Sequence, residues 1–333
     1  MTDNGIMTGS VSPNELALLN FVPQVLRARD FRLYTKDGRR LIDLWQNGGA
    51  AVLGHTPPLL LREIKNTASR GLYAPFPHFS EQRFIKALSV VLPGMSFRIY
   101  AAPPSKITDN AACHCVMRHN FMLWRPFLDF CPPAGVKNTA EEKKPPAAAE
   151  PPAGKKMPAD SPLVIPVLPG IQGWRNGLPL GLCVCAVPAD CEEEFFNQFP
   201  PGDLLPPVLL AAATRGIYDL IAAAPERANI QWQRINKIPG TSPWQRRGIY
   251  LFLRNSGMAG GSNGADSSRA GSGGACGKSM NPELWAILFR RFLDAGFLLP
   301  PAPEHPLILP GILSPGEEAK LAEILSRGLP ESQ

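Results

Sequence analysis

The stretch from residue 163 to 224 constrains the chain most. LVIPVL (163–168) and GLCVCAV (181–187) are apolar runs of strand length. Cys183 and Cys185 alternate along the second, so both side chains face one side and suit an apolar core. Between the runs lies Gly177-Leu178-Pro179-Leu180-Gly181, a turn with glycine at both ends. PPVLLAAATRGIYDLIAAA (206–224) follows as a strong helical pattern.

Upstream, FRLYTKDGRRLID (31–43) reads as a hairpin in which Asp37-Gly38 supplies the turn. After a Gly48-Gly49 break, Leu61, Ile64 and Ala68 space a helix over roughly 58–72. Ser80 stands as the N-cap of a second helix carrying Phe84, Leu88 and Val91 to a stop at Pro93-Gly94. Downstream, GIYLFL (248–253) and PLIL (306–309) read as strands. Asn281-Pro282-Glu283 opens a helix through Leu293, and Ser314-Pro315-Gly316-Glu317 has capping-box spacing for a last helix through Leu325.

Two stretches differ in kind. Residues 132–161 combine proline, alanine and charge without periodicity and read as a disordered linker. Residues 255–280 form a Gly/Ser tract and read as a flexible excursion. The 37 prolines in 333 residues are about twice the usual share, and many fall in such stretches. With 44% apolar residues the rest can bury a sizeable core, and the length suggests two domains.

The net charge of +6 comes from scattered cations, with no block interleaved with aromatics, so nucleic acid is not an expected partner. No window approaches about 18 continuous apolar residues, which argues against a membrane span. The first residues, MTDNGIMTGSVSPNE, lack the regions of a signal peptide. Seven irregularly spaced cysteines argue for a reducing compartment, so the expected location is cytoplasmic. Cys113-His114-Cys115 with His119 lacks a second Cys/His pair at finger distance, with Cys131 the only nearby addition, so no metal site is assigned. Glu192-Glu193-Glu194 reads as a solvated acid run at a helix start. No Ser/His/Asp order, Walker loop or dinucleotide fingerprint is present.

Three blocks resemble class III (fold-type I) pyridoxal-phosphate aminotransferases, nearest to glutamate-1-semialdehyde 2,1-aminomutase. In block 28–94, Asp37, Gly38 and Asp43 are similar to the family's Asp-Gly-x-x-x-x-Asp ribbon signature. Leu53-Gly54-His55-Thr56-Pro57 is similar to its Leu-Gly-His-x-x-Pro motif, and Leu92-Pro93-Gly94 to its helix stop. Block 170–224 carries the Gly-Leu-Pro-x-Gly turn and the long helix; block 245–328 carries Phe292-Leu293-Asp294-Ala295-Gly296 and the Leu-Leu-Pro-Pro run. The resemblance implies an α/β fold. It would hold a reduced aminotransferase-like large domain and a small α+β domain formed by both termini, with the two disordered insertions. The expected divisions are a lead-in at 1–27, small-domain hairpin and helices at 28–100, a large-domain remnant at 101–131 and the linker at 132–161. A second large-domain remnant follows at 162–240, then the C-terminal small domain at 245–330. The resemblance also implies pairing, as a homodimer or with another aminotransferase-fold protein.

The chemistry that the resemblance would bring is interrupted. The Schiff-base lysine is expected about five residues before Gly177, where Gln172 stands, and no lysine occurs from Met157 to Asn236. Only a primary amine holds pyridoxal as an imine and then shuttles the substrate's proton. The region that resembles the phosphate-binding helix start, Ala101-Ala102-Pro103-Pro104-Ser105-Lys106-Ile107, has no glycine beside its serine. The strand 163–168 ends in Pro169-Gly170 without the carboxylate that would pair with the pyridine nitrogen. His55 is expected to hold its turn by hydrogen bonds. The expectation is a non-catalytic homologue with no catalytic or cofactor-binding residue and no cofactor. The alternative is an active aminotransferase or aminomutase that uses pyridoxal phosphate through a relocated lysine. For that role Lys155 and Lys156 lie in the linker, Lys237 lacks a nearby Gly-x-Pro turn, and Lys106 stands where phosphate contacts belong.

Overall fold

The N-terminal ribbon and the C-terminal segment meet in one sheet. The computed structural model describes residues 17–105, 107, 121–128, 163–175, 177–228, 230, 232–254 and 280–329. The linker 132–161, nearly all of the Gly/Ser tract, the Cys113–His119 group, Cys131, Cys276, Lys106, Lys155 and Lys156 lie outside the described residues.

Strands β1 (Val25–Arg29), β2 (Arg32–Thr35) and β3 (Arg40–Asp43) form an antiparallel meander. Its Asp37-Gly38 turn is the one the dipeptide predicts, with Gly38 at φ +81°. β12 (Phe297–Leu298) adds in parallel to β3, pairing Phe297 with Ile42 and Leu298 with Asp43. The small domain is therefore built from both termini, as expected.

Helices α1 (Pro58–Ala68) and α2 (Ser80–Val91) follow. The first ends four residues before its expected limit, and Gly71 takes a left-handed φ of +78° just beyond. Ser80 is not the cap of the second: it lies inside the helix, Phe79 holds the N-cap position, and the Ser80 hydroxyl meets His78 Nδ1 at 2.8 Å. After a short helix α3 (Glu192–Phe196) comes α4 (Pro207–Ala228), on which α1 and α2 both pack and which runs past the expected end at residue 224 and through Pro225. Residues 207–227 of α4 are long and apolar enough to cross a membrane by length and mean hydropathy, although Arg215 and Asp219 break the apolar run, and half of its most apolar stretch is buried inside the protein.

The second sheet runs β4 (Met95–Tyr100), β9 (Cys183–Pro188), β6 (Leu163–Pro166), β5 (Phe121–Trp124). β9 is antiparallel to both neighbours, and β6 and β5 are parallel. The expected runs 163–168 and 181–187 are its two inner strands. Side chains of β9 alternate between two cores: Val184 and Ala186 join the main one, Cys183, Cys185 and Val187 a smaller one with Tyr100, Ile165 and Phe196. This two-sided burial is why the strand reads as an unbroken apolar run. The Cys185 side chain and burial together push the Cys183 thiol well above its usual pKa, so it packs as a small hydrophobe.

A third sheet, β10 (Trp244–Arg247), β11 (Tyr250–Leu253) and β13 (Leu307–Ile308), is antiparallel throughout. The run 248–253 begins with the turn, because Gly248 sits at φ +59° between β10 and β11. Helices α5 (Pro282–Asp294) and α6 (Pro315–Ser326) carry the expected caps. Asn281 accepts from the Glu283 N–H, and Ser314 and Glu317 form both bonds of a capping box. Trp285, Phe289 and Phe292 line the buried face of α5. Full burial of such side chains contributes about 1.5–3 kcal/mol each.

Candidate functional site

Where the lysine turn would present its amine, the chain presents a satisfied amide. A two-stranded ribbon, β7 (Gly173–Arg175) and β8 (Leu178–Leu180), connects the ends of β6 and β9. Gln172, just before β7, is 3% exposed. Its Oε1 accepts the Leu168 N–H at 2.7 Å, and its Nε2 donates to the Leu182 carbonyl at 2.7 Å. Those groups lie beyond the ends of two neighbouring strands and would otherwise be buried without partners. The side chain thus closes the gap where the sheet opens into the ribbon. A lysine has donors only and could not satisfy the Leu168 N–H.

The segment after β3 approaches this ribbon along a left-handed path. Gln46, Asn47, Gly48 and Gly49 have φ of 48°, 50°, 70° and 114°. Such conformations are costly for non-glycine residues, and side chains hold them in place. Buried Asp43 accepts the N–H groups of Trp45 and Gln46 on Oδ1 at 2.9 and 2.8 Å, and meets His55 Nε2 at 2.8 Å through Oδ2. His55 therefore secures its turn by hydrogen bonding, the role its motif predicts. Gln46 Nε2 donates to the Ile308 carbonyl at 3.0 Å, and Asn47 Nδ2 to the Gln172 carbonyl at 2.6 Å. The ribbon, the N-terminal segment and β13 are joined through this one cluster.

Trp174 fills the centre. A Cβ added to Gly48 would stand 2.5 Å from Trp174 Cδ2, so the indole packs directly on the bare backbone. The indole meets the His305 ring edge-on, with centroids 5.6 Å apart, and Trp174 Nε1 donates to His305 Nε2 at 3.4 Å. Burial, with the nearby Arg125 charge, pushes His305 down to about 3, so its ring is neutral and Nε2 is free to accept. Arg125, itself buried, donates to the Gly48 carbonyl at 3.2 Å. Trp174, His305 and Arg125 carry no motif signal; only the close Gly48 contact hints at an aromatic neighbour, and only in three dimensions.

Two further segments that the resemblance assigns to a cofactor site are engaged or buried within the chain. The Ala101 N–H, at the head of the segment that resembles a phosphate-binding helix start, donates to the Asp203 carboxylate at 2.8 Å. A carboxylate at that N–H opposes a phosphate there. The strand end at Val167 and Leu168 is fully buried and apolar. The described lysines, Lys36, Lys65, Lys86, Lys237 and Lys320, are all exposed on the surface. At the position that the resemblance assigns to the lysine, Gln172 offers a doubly bonded amide and no amine, so the residues here do not fit a covalently held pyridoxal phosphate. Among the described residues no group of His, Cys, Asp or Glu is arranged to hold a metal ion. Glu192 and Glu193 are exposed, with Glu192 accepting from the Ser96 hydroxyl at 2.6 Å.

No protein-family model matches the chain. A protein from Treponema pallidum described as uncharacterised is 26% identical over 305 residues, covering 86% of this chain and 89% of that one. One from Borreliella burgdorferi, also described as uncharacterised, is 42% identical over 71 residues, which are 21% of this chain and 26% of that protein. Among solved structures, ornithine δ-aminotransferase of Plasmodium falciparum superposes with a TM-score of 0.52 at 10% identity, covering 92% of each chain. Acetylornithine aminotransferase from Elizabethkingia anophelis gives 0.51 at 10% identity, over 92% of this chain and 93% of that one. Glutamate-1-semialdehyde aminomutase from Pseudomonas aeruginosa gives 0.50 at 12% identity, over 92% and 86%. Likeness at such low identity is a likeness of architecture, and the chain has the α/β fold of the fold-type I pyridoxal-phosphate aminotransferases.

Proposed function

We propose that the protein is a non-catalytic homologue of class III aminotransferases, with a structural or regulatory role in the cytoplasm. It works without pyridoxal phosphate, as a homodimer or as the partner of an intact aminotransferase-fold protein. The observation that carries this reading is the Gln172 side chain, whose two polar ends bond Leu168 and Leu182 at 2.7 Å each. Transamination starts from an amine poised over a held aldehyde, and this amide spends both of its ends on the backbone. The Trp174 indole packs directly on the Gly48 backbone next to this ribbon, and we take that close packing to serve the structural role.

The test is direct. The purified protein is mixed with pyridoxal phosphate, examined for the yellow internal aldimine, treated with borohydride and mapped by peptide mass. A colourless protein without a pyridoxyl-lysine supports the proposal. A stoichiometric adduct on any lysine, Lys106 and Lys237 included, would establish the enzyme alternative instead. Sedimentation of the protein alone, and with an aminotransferase of the same cell, tests the pairing; a monomer that joins neither would remove the partner role.

A further inference from the structure

We infer that the outer edge of β10 is a docking site for an acidic, extended segment of a partner protein, added as a further strand. The third sheet runs β10-β11-β13, so β10 is its edge among the described residues. Three of its four residues, Gln245, Arg246 and Arg247, are exposed. Residues 229–254 contain Arg234, Lys237, Arg246, Arg247 and Arg254, and no Asp or Glu. All five cations are exposed.

Contacts place three of them, Arg246, Arg247 and Arg254, at one edge. Arg246 bonds the Asn236 side chain, beside Lys237, and its guanidinium stands 5.1 Å from the Trp232 ring centre. Arg254 bonds the Gly240 carbonyl, while its own N–H donates to the Pro243 carbonyl, next to β10. Arg247 lies over the Phe252 ring at 5.6 Å. A carboxylate that reaches the segment, Glu318 of α6, is directed to the backbone: its Oε1 accepts the N–H groups of Arg234 and Ile235 at 2.6 and 3.2 Å. The aromatic contacts pre-position two of the arginines, which lowers the entropy lost when an anion binds.

An edge strand offers main-chain donors and acceptors, and charge on it decides which strands may pair. These like charges repel a basic strand and attract an acidic one. The same charges could attract nucleic acid. Single-stranded nucleic acid, however, is held by bases stacked on open aromatic faces, and Trp232 and Trp244 are each only 5% exposed. The edge therefore fits a peptide better than a polynucleotide. This inference is independent of whether the aminotransferase-like site is active.

The test uses the full chain and a fluorescein-labelled peptide of roughly eight residues alternating Val and Glu, read by anisotropy at low salt. Expected is saturable binding that weakens roughly tenfold in Arg246→Glu/Arg247→Glu and falls steeply with added salt. A peptide of equal charge with the valines replaced by proline is expected to bind at least about tenfold more weakly, because proline cannot donate to a ladder. Lys237→Glu/Arg254→Glu is a second pair should the first fail to fold. No binding at low salt overturns the inference. So does equal binding of the proline peptide, or tighter binding of an oligothymidine of equal charge. Self-association at low salt that the Arg246→Glu/Arg247→Glu change abolishes would make the occupant a second copy and likewise overturn it.

Discussion

Trp174 and Gly48 are packed so closely that the Trp174 ring stands where a side chain on residue 48 would begin, 2.5 Å from Cδ2. Gly48 also sits at φ +70°, so both conformation and space require glycine there. Gly48→Ala is expected to destabilise the protein by roughly 2–4 kcal/mol. Trp174→Ala alone opens a cavity in the same place and costs about 3 kcal/mol. The double variant is expected to be less damaged than the sum, because the smaller side chain at 174 leaves room for the new methyl. Urea unfolding of the four proteins measures the coupling. A strictly additive result would mean that the indole yields freely.

The amide of Gln172 gives a second expectation. Gln172→Leu keeps the volume but leaves the Leu168 N–H and the Leu182 carbonyl buried without partners. Each such loss costs about 1–3 kcal/mol, so a loss of roughly 2–6 kcal/mol is expected. Gln172→Lys is expected to be as destabilising and still to form no borohydride-stable adduct, because the Ala101 N–H stays engaged by the Asp203 carboxylate. Unfolding curves and peptide mass together decide this. A Gln172→Lys protein that turned yellow with pyridoxal phosphate would show that the surrounding space is intact.

How much of this could be read from the residues follows from where each signal resides. The caps at Asn281 and Ser314, the Asp37-Gly38 turn and the apolar runs of β6 and β9 are local, and each formed as its residues dictate. Spacing from Gly177 points to Gln172, but its bonds to Leu168 and Leu182 join ends that only the folded sheet brings together. β1, β4, β5 and β10 carry no clear strand signal of their own. MSFRIY at 95–100 owes its strand state to β9 alongside it rather than to clean alternation. Ser80 reads as a cap because the residue type suits one, yet His78 takes its hydroxyl and the helix begins at Ser80 instead. Arg125 and His305 lie far apart in sequence and in segments without periodicity, so their meeting beside Trp174 had no linear signal at all.

The charge pair between the two ends of the chain is a third handle. Arg32 of β2 donates through Nε and Nη2 to the two Glu317 oxygens of α6 at 3.2 and 2.7 Å, and Arg40 adds a bond at 3.2 Å. Burial works against the Glu317 carboxylate, but its bonds to Arg32 and Ser314 hold it below the usual value. A depressed carboxylate pKa contributes stability above its unfolded value, and that share is lost as pH falls through the folded one. Glu317→Gln removes the charge and weakens the capping box, at an expected cost of about 1–3 kcal/mol at neutral pH. The Arg32→Met/Glu317→Gln double variant is expected to lose less than the two singles combined, measured by thermal unfolding at pH 7.

His305 sets the sharpest pH dependence. Its ordinary value of 6.5 falls to about 3 in the folded protein, from burial first and from Arg125 second. The native state therefore holds a neutral ring, while the unfolded chain binds a proton below about pH 6.5. The sign follows: this contribution is fully present above about 6.5 and declines as pH falls toward about 3. Between those limits the slope from this one group approaches 1.4 kcal/mol per pH unit, about one proton's worth. Protonation would also turn Nε2 into a donor facing the Trp174 N–H, which breaks the 3.4 Å contact. His305→Gln retains an acceptor and does not titrate, so its unfolding free energy between pH 7 and 5 is expected to fall by markedly less than that of the wild type. Equal slopes in the two proteins would place the ring in contact with water and break up the closed cluster of Trp174, Gly48 and His305.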